Sequence, residues 1–255
     1  MNAICAIAKR EIKAYFSTPL AYVILAGVMF LMSNMFFPTL GYFLQNSMGG
    51  GAMMGGPQNL SLSQNIISPF YGNLHIIFMI MVPAITMNLL SLEYRMKSFT
   101  LLQTSPVTNL QILLGKFFGA IFFLVVLFIL LFLFPLLLHA MGNPDPGVTV
   151  SANLATFLMG AAFIAIGVMC SSFTESQVIS FLLTSAIIFL LMIINWAAYS
   201  SNSEFAETLK SLALYEHYRE MAKGTISLNS ISYYVSIIVI SLYFGHRSLE
   251  AKSSV

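Results

Sequence analysis

SLEYRMKSFTLLQTSPVTNLQILLGKF, residues 91–117, is the stretch that decides how this chain is read. It is the longest polar and basic segment between hydrophobic runs on the side expected to be cytoplasmic. Its pattern predicts a short helix, a break at Ser105-Pro106, and a second helix that continues into an apolar run. Pro106 stops the first helix, because the residue before a proline is disfavoured in the helical region. Thr108 or Asn109 can cap the helix that follows. The neighbouring run AIFFLVVLFILLFLFPLLL, residues 120–138, is apolar on every face. Barrel strands would alternate with period two over about ten residues, so helices are the reading.

Composition agrees. Of 255 residues, 58% are hydrophobic and only 8% charged, with mean hydropathy +0.86. A soluble domain carries about a quarter charged residues, so the membrane is the solvent this chain expects. A net charge of +2 is too small to suggest a nucleic-acid partner. Cys5 and Cys170 lie far apart and match neither a metal spacing nor a disulfide framework. No cleavable signal peptide is expected, because the first apolar run follows a basic helical leader and is long enough to span.

About 20 apolar residues cross roughly 30 Å of hydrocarbon. Segments 20–37, 74–92, 117–138, 152–170, 178–199 and 231–244 qualify, the last with a start near Leu228. Lys9, Arg10 and Lys13 precede the first. Arg95, Lys97 and Lys116 lie between the second and third, and Arg247 and Lys252 follow the sixth. Loops 38–73 and 139–151 carry neither Lys nor Arg, and only Lys210, Arg219 and Lys223 fall on the other side. The positive-inside rule then places both termini and the 91–117 stretch in the cytoplasm. The fold expected is all-α: a polytopic single transmembrane domain over 1–255. It has six transmembrane helices, an N-terminal amphipathic interface helix (1–17), a cytoplasmic coupling helix within 93–116, and an outer amphipathic helical segment (200–229).

The interface helix has Ile4, Ile7, Ala8, Ile12, Tyr15 and Phe16 near one face, with Lys9, Arg10 and Lys13 turned elsewhere. Ser17-Thr18-Pro19 breaks it from the first span. In the outer segment Phe205, Leu209, Leu212, Leu214, Tyr218 and Met221 recur at helical spacing, ending at Gly224. Gly115 and Gly119 form a small-xxx-small pair that permits close helix contact. Asn34, Thr86, Asn88, Thr156, Thr184, Ser185 and Asn195 lie within spans and are expected to bond between helices. Pro83 is expected to kink the second span.

Chemistry-bearing patterns are scarce. Met48, Met53 and Met54 are soft donors, yet no His or Cys accompanies them, so residues 46–59 read as a flexible linker. His75, His139, His217 and His246 are scattered. Gly115-Lys116-Phe117 is only a fragment of a phosphate-binding loop, so the chain is not expected to be an enzyme, nor to hold a cofactor or metal. Acids sit at span ends or in loops, which argues against a proton- or sodium-driven carrier and against a channel. What remains is an apolar bundle whose energy must come through a partner, with the 93–116 segment as its docking surface.

Three blocks carry a resemblance: AKREIKAYFSTPLAYVILA (8–26), PAITMNLLSLEYRMKSFTLLQTSPVTNLQILLGKF (83–117) and LALYEHYREMAKGTISLNSISYYV (212–235). Together they resemble the type-2 ABC transporter permeases, in particular the small six-span subunits of the gliding-motility type. The resemblance implies a second permease copy or homologue and cytoplasmic ABC ATPase subunits that bind ATP and Mg. It also implies an inner-membrane location, with room for a periplasmic or auxiliary membrane subunit. It makes Glu93, Arg95, Leu101, Leu102, Thr104, Pro106 and Val107 the ATPase-coupling interface, with Lys9, Arg10 and Lys13 on the interface helix beside it. The function expected is permease subunit of an exporter. The alternative is a subunit that transmits force to a periplasmic partner without moving substrate.

Overall fold

Lipid offers no partner to an unpaired backbone group, so each apolar run must satisfy its own amides and folds as a helix. The computed structural model describes residues 3–45, 62–96, 107–142, 144–200 and 213–253, and every regular element among them is helical. In chain order these are α1 (Ala3–Ser17), α2 (Pro19–Gln45), a π-turn (Ser63–Ile67), α3 (Ser68–Thr86) and α4 (Ser91–Arg95). Then come α5 (Asn109–Leu131), α6 (Leu133–Met141), α7 (Pro146–Phe173), α8 (Gln177–Ser200), α9 (Leu214–Met221) and α10 (Leu228–Ser253). Six stretches among the described residues are long and apolar enough to cross a membrane: α2, Ser63–Arg95, Asn109–Met141, α7, α8 and α10.

The helices outrun the apolar windows that announced them. α2 continues through Pro38 to Gln45, and α7 starts at Pro146, where Asp145 caps it by accepting from Gly147 N at 2.8 Å. The third span is two helices, α5 and α6, which part at Phe132. Pro135 has no N–H to return to Leu131, which accounts for the interruption. Pro83 sits inside α3 as expected, but the helix ends one turn later, at Thr86.

α7 is the central post. In its most apolar window 78% of residues are buried, against 17% for α8 and 22% for α10. It packs against α3, α5, α8, α9 and α10. Small residues permit this approach: a Cβ on Gly160 would lie 3.1 Å from Leu124 and Phe78, and one on Gly167 would overlap Thr86 Oγ1. Between helices in lipid, such packing supplies much of the attraction. The outward faces of the peripheral helices carry large apolar side chains, among them Phe30, Val178 and Val239.

The polar residues inside spans bond both within and between helices. Thr86, Thr156 and Thr184 donate to the carbonyls of Val82, Ala152 and Ser180 in their own helices, and Asn34 does the same to Phe30. The carbonyl four residues back is the nearest acceptor, but Thr156 also bonds to Tyr218 of α9 and Thr184 to Cys170 of α7, so these two tie helices together as expected.

Candidate functional site

α1 lies against the start of α5, and the glycine pair is the reason. A Cβ on Gly115 would sit 2.7 Å from Ile7 Cβ and 3.2 Å from the Ile4 carbonyl; one on Gly119 would sit 2.7 Å from Glu11 Cβ. With no side chain in the way, the helices close up. Ile7, from the apolar face of α1, is buried in this contact. Tyr15 and Phe16 from the same face stack on Phe123 of α5, with ring centroids 5.8 and 6.1 Å apart.

This close approach brings four charges together. Lys116 Nζ lies 3.0 Å from Glu11 Oε1 and 2.9 Å from Glu93 Oε1. Arg10 reaches the same two oxygens, at 2.9 and 2.5 Å. Lys116 is 1% exposed, while Glu11 and Glu93 are 13% and 14% exposed. α1 thus contributes a cation and an anion, α4 an anion and α5 a cation. A buried ammonium is tolerable only when paired and hydrogen-bonded, and two carboxylates supply that. The pKa of Arg10 is raised. Burial is the largest single influence and acts downward, but the hydrogen bonds and charges of Glu11 and Glu93 together outweigh it. Burial, then the charge of Glu11, pushes the Tyr15 phenol up, and its hydroxyl donates to the Ile85 carbonyl at 3.1 Å.

A second device fixes α4. The second span loses helical geometry over residues 87–90. Ser171, near the end of α7, bridges the gap: its Oγ accepts from Leu90 N at 3.0 Å and Ser91 N at 3.2 Å, and donates to the Met87 carbonyl at 3.3 Å. Within α4 itself no residue caps the N-terminus by side chain, so a hydroxyl from another helix does what an N-cap residue does locally. On the other flank Lys252 of α10 lies 3.9 Å above the Tyr94 ring. Ser248 of α10 donates to the Ser172 carbonyl at 3.0 Å. The two ends of the described chain therefore meet at the same end of the bundle.

The coupling residues inferred from sequence divide three ways. Glu93 and Arg10 enter the charge cluster. Arg95, Lys9 and Lys13 are exposed on α4 and α1, and Val107 is half-buried against the core. Leu101, Leu102, Thr104 and Pro106 lie outside the described residues. Thr108 is the cap of α5: it accepts from Gln111 N, and the Gln111 side chain accepts from Thr108 N, a reciprocal capping box. Sequence reasoning passed over Glu11, Lys116 and Ser171. Lys116 was the legible one, since a lysine in the first turns of an apolar span needs a partner.

Hydroxyl groups tie the opposite end together. Tyr218 donates to the Ser68 carbonyl at 2.6 Å, Ser68 to the Ala222 carbonyl at 2.7 Å, and Tyr234 to the Leu214 carbonyl at 3.0 Å. The turn that follows α9 closes where foreseen, at Gly224, whose φ of 100° favours glycine. The 46–59 linker and residues 201–212 lie outside the described residues. Among the described residues no cluster of metal-binding side chains occurs.

Six apolar helices, a surface helix docked on the third span and a short helix braced after the second define a multi-span membrane component. The sequence profile of the ABC-2 family transporter proteins matches residues 71–248, well over half the chain. The chain therefore belongs to the ABC-2 transporter family and is a permease component of an ABC transporter. No curated protein matches it.

Proposed function

We propose that the chain is the membrane-spanning permease subunit of an exporter of the small six-span, gliding-motility type. A separate cytoplasmic ATPase hydrolyses ATP and grips the 93–116 segment. A second permease copy or homologue completes the membrane half, in the bacterial inner membrane with both termini cytoplasmic. The observation that carries this reading is the junction of Arg10, Glu11, Glu93 and Lys116. It makes the interface helix, the coupling helix and the third span one body. A push on the coupling segment passes to α1 and α5 through the charges and to α7 through Ser171.

The test is the double variant Leu101→Asp/Leu102→Asp. Co-purification of the ATPase and ATP-dependent activity should be lost while membrane insertion is kept. Survival of both would overturn the coupling assignment.

One observation favours force transmission to a periplasmic partner instead. A cleft of about 430 Å³ opens at the far end between α3 and α9, lined by Gln64, Asn73, Tyr215, Arg219 and Lys223 among others. Its polar, cationic rim suits a docked protein segment. ATP-driven flux of a lipid-like cargo from liposomes would separate the readings, since the force transmitter moves none.

A further inference from the structure

Lys and Arg are scarce at the far end of the bundle. Loops 38–73 and 139–151 hold none, and Lys210, Arg219 and Lys223 are the exceptions. Cations on the side that the positive-inside rule empties call for a local reason. Arg219 and Lys223, four residues apart, both line the cleft of about 430 Å³ between α3 and α9. No Asp or Glu lines it. Of the acids on α9, Glu220 is drawn toward α10, its Oε2 accepting from the Ser230 hydroxyl at 3.3 Å. The charge this cleft presents is positive.

The other polar groups in the lining are unspent. Among the described residues Lys223 forms no ion pair, and the Gln64 and Asn73 amides and the Tyr215 hydroxyl make no hydrogen bond. The apolar part is Pro69, Gly72, Ala222 and two tyrosine rings. No Leu, Ile, Val, Met or Phe lines the cleft, so an acyl chain finds no wall. An inorganic anion is too small, since the volume is that of about fourteen water molecules at ~30 Å³ each. A peptide with carboxylate side chains matches both the amides and the charge. The walls are already pinned, Tyr218 to the Ser68 carbonyl and Ser68 to the Ala222 carbonyl, so docking orders little. α9 packs on α7, the central post, and a pull at the cleft reaches the core.

We propose that this cleft docks an acidic segment of the periplasmic partner protein, with carboxylates on Lys223 and Arg219 and backbone on Gln64 and Asn73. The assignment rests on the force-transmitting reading, but the two fail separately: flux from liposomes tests that reading, whereas docking is measured without ATP.

The full chain in phosphatidylcholine nanodiscs is exposed to two photoreactive peptides, one rich in Asp and Glu, the other with Asn and Gln in their places, and the labelled segments are mapped. The acidic peptide should label the segments holding Asn73 and Tyr215 on the order of tenfold more than the neutral one, the worth of one charged hydrogen bond. Salt at about 0.5 M should erase most of that difference. Lys223→Glu should abolish the preference, Lys223→Arg should keep it, and Arg247→Glu, at the other end, should leave it unchanged. Equal labelling by the two peptides or a preference that survives Lys223→Glu would overturn the proposal. So would displacement of the acidic peptide by inorganic phosphate at matched ionic strength, or by phosphatidylglycerol in the disc. Should Lys223→Glu fail to insert, the two peptides on the native chain decide the matter alone.

Discussion

The two ends of the bundle are held by different forces. At the basic end two carboxylates and two cations, drawn from three helices, share one site, in which Lys116 is buried and Arg10 reaches solvent. At the other end phenol and serine hydroxyls donate to backbone carbonyls, and the Ser230 hydroxyl donates to the Glu220 carboxylate at 3.3 Å. Hydroxyl bonds are modest and independent, so they fasten a cap. A buried ion cluster is all-or-none: removing one member leaves the others as uncompensated charge. The first kind of joint suits a lid that stays put. The second suits a place where load must pass between helices without slippage.

The sharpest way to break this contrast is Lys116→Met. It leaves Glu11 and Glu93 with only the part-exposed Arg10 between them and should lower stability by about 3–5 kcal/mol, read as a fall in the unfolding temperature of the detergent-solubilised chain. Adding Glu11→Gln and Glu93→Gln should recover most of the loss, because the one charge left, Arg10, is 49% exposed and can reach water. Ser171→Ala comes next. Losing a cap costs about 0.5–2 kcal/mol, measured in the same way, but ATP-dependent activity should fall further than stability does, since α4 loses its tie to α7. The smallest effect belongs to the far end. Tyr218→Phe removes one donor to Ser68 and should cost about 0.5–1.5 kcal/mol, with activity following stability and no additional loss.

Much of the fold could be read from the chain, and the reasons are physical. Apolar length gave the six spans, because nothing but a helix satisfies backbone in lipid. Pro19, Thr108 and Gly224 marked boundaries, since each sets local backbone geometry whatever surrounds it. Gly115 and Gly119 announced a close contact but not with what; the partner proved to be α1. The charge cluster was hidden because its members stand 83 and 105 residues apart in sequence, and pairwise distance in a bundle is not written in spacing. Ser171 was hidden more deeply. A serine near the end of a span is ordinary, and only the loss of helical geometry at 87–90 in another span gives it a task. Thr86 was legible only in part: its hydroxyl donates to the Val82 carbonyl of its own helix.

The most direct measurement concerns which side the basic end faces and who touches it. In a Cys5→Ser background, where Cys170 is buried, Arg95→Cys places one reactive thiol on the exposed face of α4. A membrane-impermeant thiol reagent should modify it in inside-out membrane vesicles and not in intact cells, and the ATP-binding subunit, once added, should shield it. Modification from outside the cell, or labelling that the ATP-binding subunit leaves unchanged, would contradict a coupling junction at this end.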